Sequence, residues 1–218
     1  MSLMSHDLRL DVFDSAALNE PGLSESRGKL LHRAFAGGAA ILAGGVVIAG
    51  LPTSADSAPS PAQDAEILNL ALLLEYMESA FFTEASFSGK LTGELLEFAQ
   101  IVRGHERAHV EFLRSALGSK ARKEPKFDFG DATKDPKAFT SAAVRLQDLM
   151  VAAYNGQATN LTTGALESAA KIVSVEARHA GWIRAIAQEN PAPEATDTPK
   201  TAAEVTAAVN RTNFVSSG

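Results

Sequence analysis

The stretch "DAEILNLALLLEYMESAFFTEASFSG", residues 64–89, indicates how the rest of the chain is organised. Its apolar residues lie around most of the circumference of a helix, which is typical of a helix at the centre of a protein. Asp64 is a suitable N-cap for this helix, and Gly89 is a suitable stop. The stretch therefore predicts a central, largely buried helix.

Three more segments with helical periodicity follow. They are predicted at about residues 91–117, 136–160 and 163–189, and nothing in this part alternates with period two for long enough to suggest a sheet. Residues 119–135 are charged and broken by proline and glycine, so they form a long connection between the second and third helices. Two closely linked helix pairs joined by one crossover predict an all-α, ferritin-like four-helix bundle of up-down-down-up topology.

The two ends of the chain differ from this central part. After Pro191 comes a linker rich in proline and threonine, followed by a stretch in which Thr201 and Glu204 have capping-box spacing. This spacing predicts a short C-terminal helix. We therefore divide the chain into an export signal-like segment with its linker (1–62), the bundle (63–190), and a linker with a terminal helix (191–218).

The first 62 residues have the three-part plan of an export signal. Residues 1–33 are polar and end in basic side chains, residues 34–51 carry no charge, and residues 52–63 are small and rich in proline. The stretch "HRAFAGGAAILAGG" resembles the start of a twin-arginine signal, although His32 stands in place of the first arginine and leaves the route open. A membrane-spanning helix is the alternative, but the many glycines weaken it. We expect an exported protein of the periplasm or cell envelope.

The amino-acid composition limits the kinds of binding site that this chain can form. The net charge is −6 and the pI about 5.4, which argues against a phosphate-binding surface and hence against nucleic-acid partners. The chain has no cysteine, which excludes disulfides, thiolate zinc sites and iron–sulfur clusters. Any metal must therefore be held by nitrogen and oxygen ligands.

A diverged internal repeat relates the two helix pairs. "EYMESAFF" at 75–82 matches "QDLMVAAY" at 147–154, which lies 72 positions further along, and "ERAH" at 106–109 matches "EARH" at 176–179, 70 positions further along. Each half thus has one carboxylate-type position on its first helix and Glu-x-x-His on its second. Residues three apart share a helix face, so each Glu-x-x-His can direct two ligands at one point.

This arrangement is the pattern of di-iron carboxylate bundles. Oxygen and imidazole ligands suit iron, with manganese as the second choice, and open positions between two such ions accept dioxygen or peroxide. In the predicted centre Glu106 and Glu176 bridge, and Glu75 is a terminal ligand. The full set of predicted ligands is Glu75, Glu106, His109, Gln147, Glu176 and His179.

Four stretches together resemble the ferritin-like domain proteins, a group that includes plant desiccation-related proteins and many exported bacterial relatives. These stretches are "LNLALLLEYMESAFFTEA", "FDFGD", "AAYNGQA" and "VEARHA", and the resemblance covers about residues 64–189. It implies a ferritin-like fold and a metal pair. For most members it implies no settled substrate or reaction, and a homodimer is compatible with it.

Gln147 departs from the repeat and from the family pattern, both of which lead to a glutamate. Glutamine brings no charge and bridges poorly, so a weakened, single-metal or vacant site stays open. We expect antiparallel pairing to bring Glu75 and Gln147 to one level, while Asp148 points about 100° away around the helix. Tyr154 faces the same side as Gln147, where it packs in the core, donates a hydrogen bond to a metal ligand, or has a redox role.

Two other functions are weighed beside an oxidative or stress-protective one. The first is a metal-free structural or interaction bundle of the cell envelope. The second, more remote, is a zinc peptidase, because "HERAH" matches H-E-x-x-H. A peptidase needs a third ligand, and Pro125 prevents the helix that would present Glu124 for that purpose. Since only "ERAH" recurs, we expect His105 to complete the protease pattern by coincidence.

Overall fold

The computed structural model describes residues 58–216, and over these residues the fold is all-α, as predicted. No β-strand occurs in this range, which has a single isolated antiparallel bridge between Phe127 and Val215. The export signal-like segment lies largely outside it. No helix between residues 58 and 216 is long and apolar enough to cross a membrane. The helices are α1 (Pro61–Phe87), α2 (Gly93–Leu117), α3 (Pro136–Gln157), α4 (Thr163–Ile186) and α5 (Ala202–Thr212).

Helix α1 begins three residues earlier than its predicted N-cap, so the assignment of Asp64 as the cap was wrong. Ser60 is the cap, with its hydroxyl accepting a hydrogen bond from the Gln63 N–H at 3.3 Å, and proline follows at the first helical position. Asp64 instead lies in the first turn. Its carboxylate accepts hydrogen bonds from the main-chain N–H and the hydroxyl of Thr162, at 2.9 and 2.5 Å.

Contacts between helix ends give the direction of each helix. Asp64 at the start of α1 binds Thr162, which directly precedes α4 and follows the end of α3, so α1 and α3 run in opposite directions. Trp182, near the end of α4, donates a hydrogen bond to Glu94 at the start of α2 at 3.0 Å. With short connections inside each pair, this is the predicted up-down-down-up order.

The crossover from α2 to α3, residues 118–135, runs along the length of α1. At its start the Asn69 side chain accepts a hydrogen bond from the Arg122 N–H at 2.8 Å. At its end the Thr133 hydroxyl donates to Glu84, about four turns further along α1, at 2.6 Å. The crossover therefore returns the chain to the end of the bundle from which α3 must start.

An aromatic layer packs between α1 and α3. Phe81, Phe82 and Phe139 are fully buried, and the rings of Phe81 and Phe139 stack with centroids 5.3 Å apart. Phe81 lies one turn beyond Glu78 on α1, so this layer closes one end of the polar interior to water.

The C-terminal helix α5 has the predicted capping box. The Thr201 N–H donates to the Glu204 carboxylate at 2.8 Å, and the Glu204 N–H donates to the Thr201 hydroxyl at 3.3 Å. Just before it, the Lys200 N–H donates to the Ala152 carbonyl of α3 at 2.9 Å. A Cβ on Gly156 would lie 1.8 Å from the Lys200 carbonyl oxygen, so only glycine permits this approach.

Candidate metal centre

Helices α1, α2 and α4 bring acids and histidines together in the middle of the bundle. The side chains of Glu75, Glu106 and Glu176 are wholly buried, and His179 is almost so. Burying an ionised carboxylate is expensive unless it is paired or coordinates a metal. The sequence folds this way because each acid lies at a core position of a helix whose other buried residues are mostly apolar.

Glu106 and Glu176 each divide their two oxygens between the two histidines. Glu106 places Oε2 3.5 Å from His109 Nδ1 and Oε1 3.3 Å from His179 Nδ1. Glu176 places Oε1 2.9 Å from His109 Nδ1 and Oε2 3.4 Å from His179 Nδ1. One oxygen toward each of two neighbouring positions is the arrangement that a bridging carboxylate requires.

Glu75 faces only one of these two positions. Its Oε2 lies 3.3 Å from His109 Nδ1, while its Oε1 accepts a hydrogen bond from the Tyr154 hydroxyl at 2.7 Å. Tyr154 is buried, and its hydroxyl fixes the orientation of the Glu75 carboxylate. Glu75 therefore has the geometry of a terminal ligand beside His109, with one oxygen held by protein and the other directed at the centre.

The donor atoms fit a cation. One ligand atom from each of Glu75, Glu106, His109 and Glu176 lies within 4.8 Å of the other three. Several of these atoms are close together yet misaligned for hydrogen bonds, and each unmet buried polar group costs about 1–3 kcal/mol. The buried atoms without a hydrogen-bond partner among the described residues are Glu75 Oε2, Glu106 Oε1 and Oε2, His109 Nδ1, Gln147 Oε1 and Glu176 Oε1.

The two histidines act as cations toward the buried carboxylates. Burial lowers the pKa of His109, but the three carboxylates nearest to it outweigh burial and raise the pKa to about 12. In His179 burial likewise opposes the charges of Glu106 and Glu176, and the pKa rises to about 9. Burial alone would raise the pKa of Glu106, yet the two histidines beside it lower the pKa to about 2. The centre thus attracts positive charge strongly.

Gln147 does not face Glu75, contrary to the expectation that the two lie at one level. Its amide Nε2 donates a short hydrogen bond to Oε2 of Glu78, one turn further along α1. Glu78 is 1% exposed, and burial, followed by the charges of Glu106 and Glu176, raises its pKa well above the ordinary value. Glu78 was not predicted from the sequence, although a second acid three residues after Glu75 on a largely apolar helix was an available signal.

His105 also has a part in the centre. Its Nδ1 lies 2.8 Å from His179 Nε2, and the two rings stack with centroids 5.1 Å apart. Because His179 turns Nδ1 toward the carboxylates, His105 holds the outer nitrogen and fixes the ring, as partners of metal-binding histidines commonly do. This contact of His105 with His179 was not predicted from the sequence. Asp148 does point away from the centre and pairs with Arg184 at the surface.

The same geometry gives a zinc peptidase no support. That function needs His105 and His109 to hold one ion, with Glu106 free as a general base. Instead His105 binds His179, and Glu106 lies between His109 and His179 as a ligand would. The residues described by the structure also offer no β-strand edge to receive a peptide.

Comparison with known families agrees with the fold and with this group of residues. A family model described as a ferritin-like domain matches residues 63–189, which is more than half of the chain. The match spans nearly all of the four helices that bring the acids and histidines together. No curated protein matches the chain.

Proposed function

The chain belongs to the ferritin-like domain family, and we propose that its bundle holds a carboxylate-bridged pair of metal ions used in an oxidative reaction with dioxygen or peroxide. The observation that carries this proposal is the division of the Glu106 and Glu176 oxygens between His109 and His179. The oxygen and imidazole donor set favours iron, with manganese as the second choice.

Each residue has a role in this proposal. Glu75 and His109 would hold one ion, His179 would hold the other, and Glu106 and Glu176 would bridge them. A bound pair of this kind supplies one-electron and Lewis-acid chemistry to a small oxygen-containing molecule. Tyr154 and His105 are positioning residues, because they fix Glu75 and His179 by hydrogen bonds.

The exposure of the centre favours a small reactant. The carboxylates of Glu75, Glu106 and Glu176 are wholly inaccessible, whereas the side chains of His109 and His179 retain 12% and 4% exposure. His105, which contacts His179, is exposed on the surface of α2. Access is therefore narrow and lies on the α2–α4 side, which suits dioxygen or peroxide and excludes a bulky substrate.

An oxygen-consumption assay tests the oxidative function. The full chain is stripped with chelator, loaded anaerobically with Fe²⁺, and mixed with oxygenated buffer in an oxygen electrode. We expect rapid oxygen uptake in proportion to bound iron, and none above free Fe²⁺ in the variant Glu106→Gln/Glu176→Gln. The variant Asp148→Asn, which changes an acid outside the centre, should match the unmodified chain. Iron that binds without accelerating oxygen uptake would rule out the oxidative function.

We further propose that the protein acts outside the cytoplasm, in protection against peroxide or desiccation stress. The support is the signal-like plan of residues 1–62 and the resemblance of residues 64–189 to exported and desiccation-related proteins. Fractionation of cells that express the full chain tests the location. We expect the protein in the periplasmic or envelope fraction, and in the cytoplasm when residues 34–51 are deleted. An unchanged distribution after the deletion would contradict export by this segment.

The metal-free structural bundle remains a second candidate, because Gln147 brings no charge to a position where the repeat leads to a carboxylate. It predicts that the buried acids are compensated by protonated His109 and His179 alone. In that case added metal would leave thermal stability unchanged.

A further inference from the structure

Helix α1 has two buried acids that face the centre, whereas the internal repeat leads to only one. Glu75 is matched in the second half by Gln147, while Glu78 is matched by Met150, which cannot act as an acid. Glu75 and Glu78 are three residues apart and therefore share a helix face. Both are buried, with exposures of 0% and 1%. The carboxylate that α3 lacks thus has a counterpart on α1.

Helix α3 donates one side-chain hydrogen bond to each of the two acids. The Tyr154 hydroxyl donates to Oε1 of Glu75, and the Gln147 amide donates to Oε2 of Glu78. Tyr154 and Gln147 are seven residues apart, two turns of one helix face. In each pair α3 supplies a hydrogen-bond donor to one carboxylate oxygen of the acid on α1.

The internal repeat relates Glu78 to the second ion rather than the first. Glu75 lies beside His109, on the pair formed by α1 and α2. In the repeat, α3 and α4 correspond to α1 and α2, and Gln147 and His179 correspond to Glu75 and His109. The position of Gln147 is therefore the one expected to contribute a ligand beside His179. Glu78 reaches that place through its bond to Gln147. Neither Glu78 nor His179 is among the four residues whose ligand atoms converge around His109, so those four define the first position alone.

A separate observation points to a cation at this place. Gln147 Oε1 is buried and has no hydrogen-bond partner among residues 58–216, although its own Nε2 is bonded to Glu78. A carbonyl oxygen and a carboxylate side by side, with one acceptor unmet, are donors that suit a hard or borderline cation.

We propose that Glu78 is the terminal carboxylate of the second metal ion, beside His179, and that Gln147 positions it as Tyr154 positions Glu75. This proposal rests on the metal pair of the proposed function. It also balances charge, because two divalent ions carry four positive charges, and Glu75, Glu78, Glu106 and Glu176 carry four negative ones. With Gln147 as the only ligand from this side, one positive charge would be buried without compensation, which is unfavourable.

The test is the number and affinity of Mn²⁺ ions bound by the full chain after chelation, measured by isothermal titration calorimetry and elemental analysis. The variants are Glu78→Gln, the swap Glu78→Gln/Gln147→Glu, and the control Glu66→Gln, which removes an acid of α1 that pairs with Arg122 at the surface. We expect two ions in the unmodified chain and in the control. In Glu78→Gln the second ion should bind more than about 100-fold more weakly, beyond the usual effect of an outer partner.

The swap variant keeps the proposal testable if Glu78→Gln fails to fold, because it restores the fourth carboxylate from the α3 side. We expect it to bind two ions. Two ions bound by Glu78→Gln with unchanged affinity, or only one by a folded swap variant, would overturn the role of Glu78 and leave the metal centre standing. No ion in the unmodified chain would overturn the proposed function, and this proposal with it.

Discussion

Replacing both bridging carboxylates in the double variant Glu106→Gln/Glu176→Gln is expected to abolish the stabilisation that bound metal gives the bundle. Glutamine keeps nearly the same shape, so the change removes charge and bridging capacity with little loss of packing. Each carboxylate lies within 3.5 Å of both His109 and His179, so both metal positions lose two donors at once. Neither position then keeps enough ligands to bind tightly.

The size of the effect follows from mass action. An ion present at 100 times its dissociation constant stabilises the folded chain by about 2.7 kcal/mol, so two ions contribute about 5 kcal/mol. For a chain of this length each kcal/mol raises the melting temperature by about 2–4 °C, which gives a shift of about 10–20 °C. The assay is a thermal melt followed by circular dichroism, in Mn²⁺ and in chelator.

The matched control is Glu111→Gln/Glu167→Gln, which changes one exposed acid on α2 and one on α4. We expect the control to retain the metal-dependent shift and the bridging variant to lose it. A shift of equal size in both variants would refute the assignment of Glu106 and Glu176 as bridges. No shift in the unmodified chain would refute metal binding itself and favour the structural bundle.

Three further predictions concern His105, Gly156 and the protons released when metal binds. His105→Ala should weaken metal binding by about 10- to 100-fold, because His179 loses the partner that orients its ring, and a titration with Mn²⁺ that shows equal affinity would contradict this role. Gly156→Ala should destabilise the fold by about 1–3 kcal/mol in chemical denaturation, since its Cβ meets the main chain before α5, whereas Gly164→Ala, in open space, should cost far less. Metal binding near pH 8 should release at least two protons, because His109 and His179 have pKa values of about 12 and about 9 and must be neutral to bind, and burial also raises the pKa values of the Glu75 and Glu78 carboxyls. Affinity therefore falls as the pH is lowered, and calorimetry in buffers of different ionisation enthalpy should show the release, whereas buffer-independent heats would contradict it.

The fold was predictable because its signals are local. Pro136 begins α3 and Gly118, with φ of 55°, ends α2, both as the sequence predicts. The capping box of Thr201 and Glu204 is likewise a matter of spacing alone. Asp64 was misassigned because two capping residues lie close together, and only the tertiary contact with Thr162 shows that Asp64 serves another element.

The metal centre was predictable only in part. The sequence of a single helix does not determine how far that helix is displaced along its neighbour, and this displacement decides which side chains face each other. Spacing three apart was enough to place Glu106 with His109. The repeat makes Gln147 equivalent to Glu75, but equivalent residues of an antiparallel pair need not face each other. Glu75 instead faces Tyr154, seven residues beyond its equivalent, and Gln147 reaches Glu78.

The most direct test is a crystal structure of the full chain grown with iron or manganese, with anomalous diffraction measured at the absorption edge of that metal. We predict two anomalous peaks between Glu106 and Glu176, one at coordination distance from His109 Nδ1 and the other from His179 Nδ1. A fully ordered centre without any anomalous peak would contradict the metal centre. A single peak shared by His105 and His109 would contradict it in favour of the peptidase arrangement.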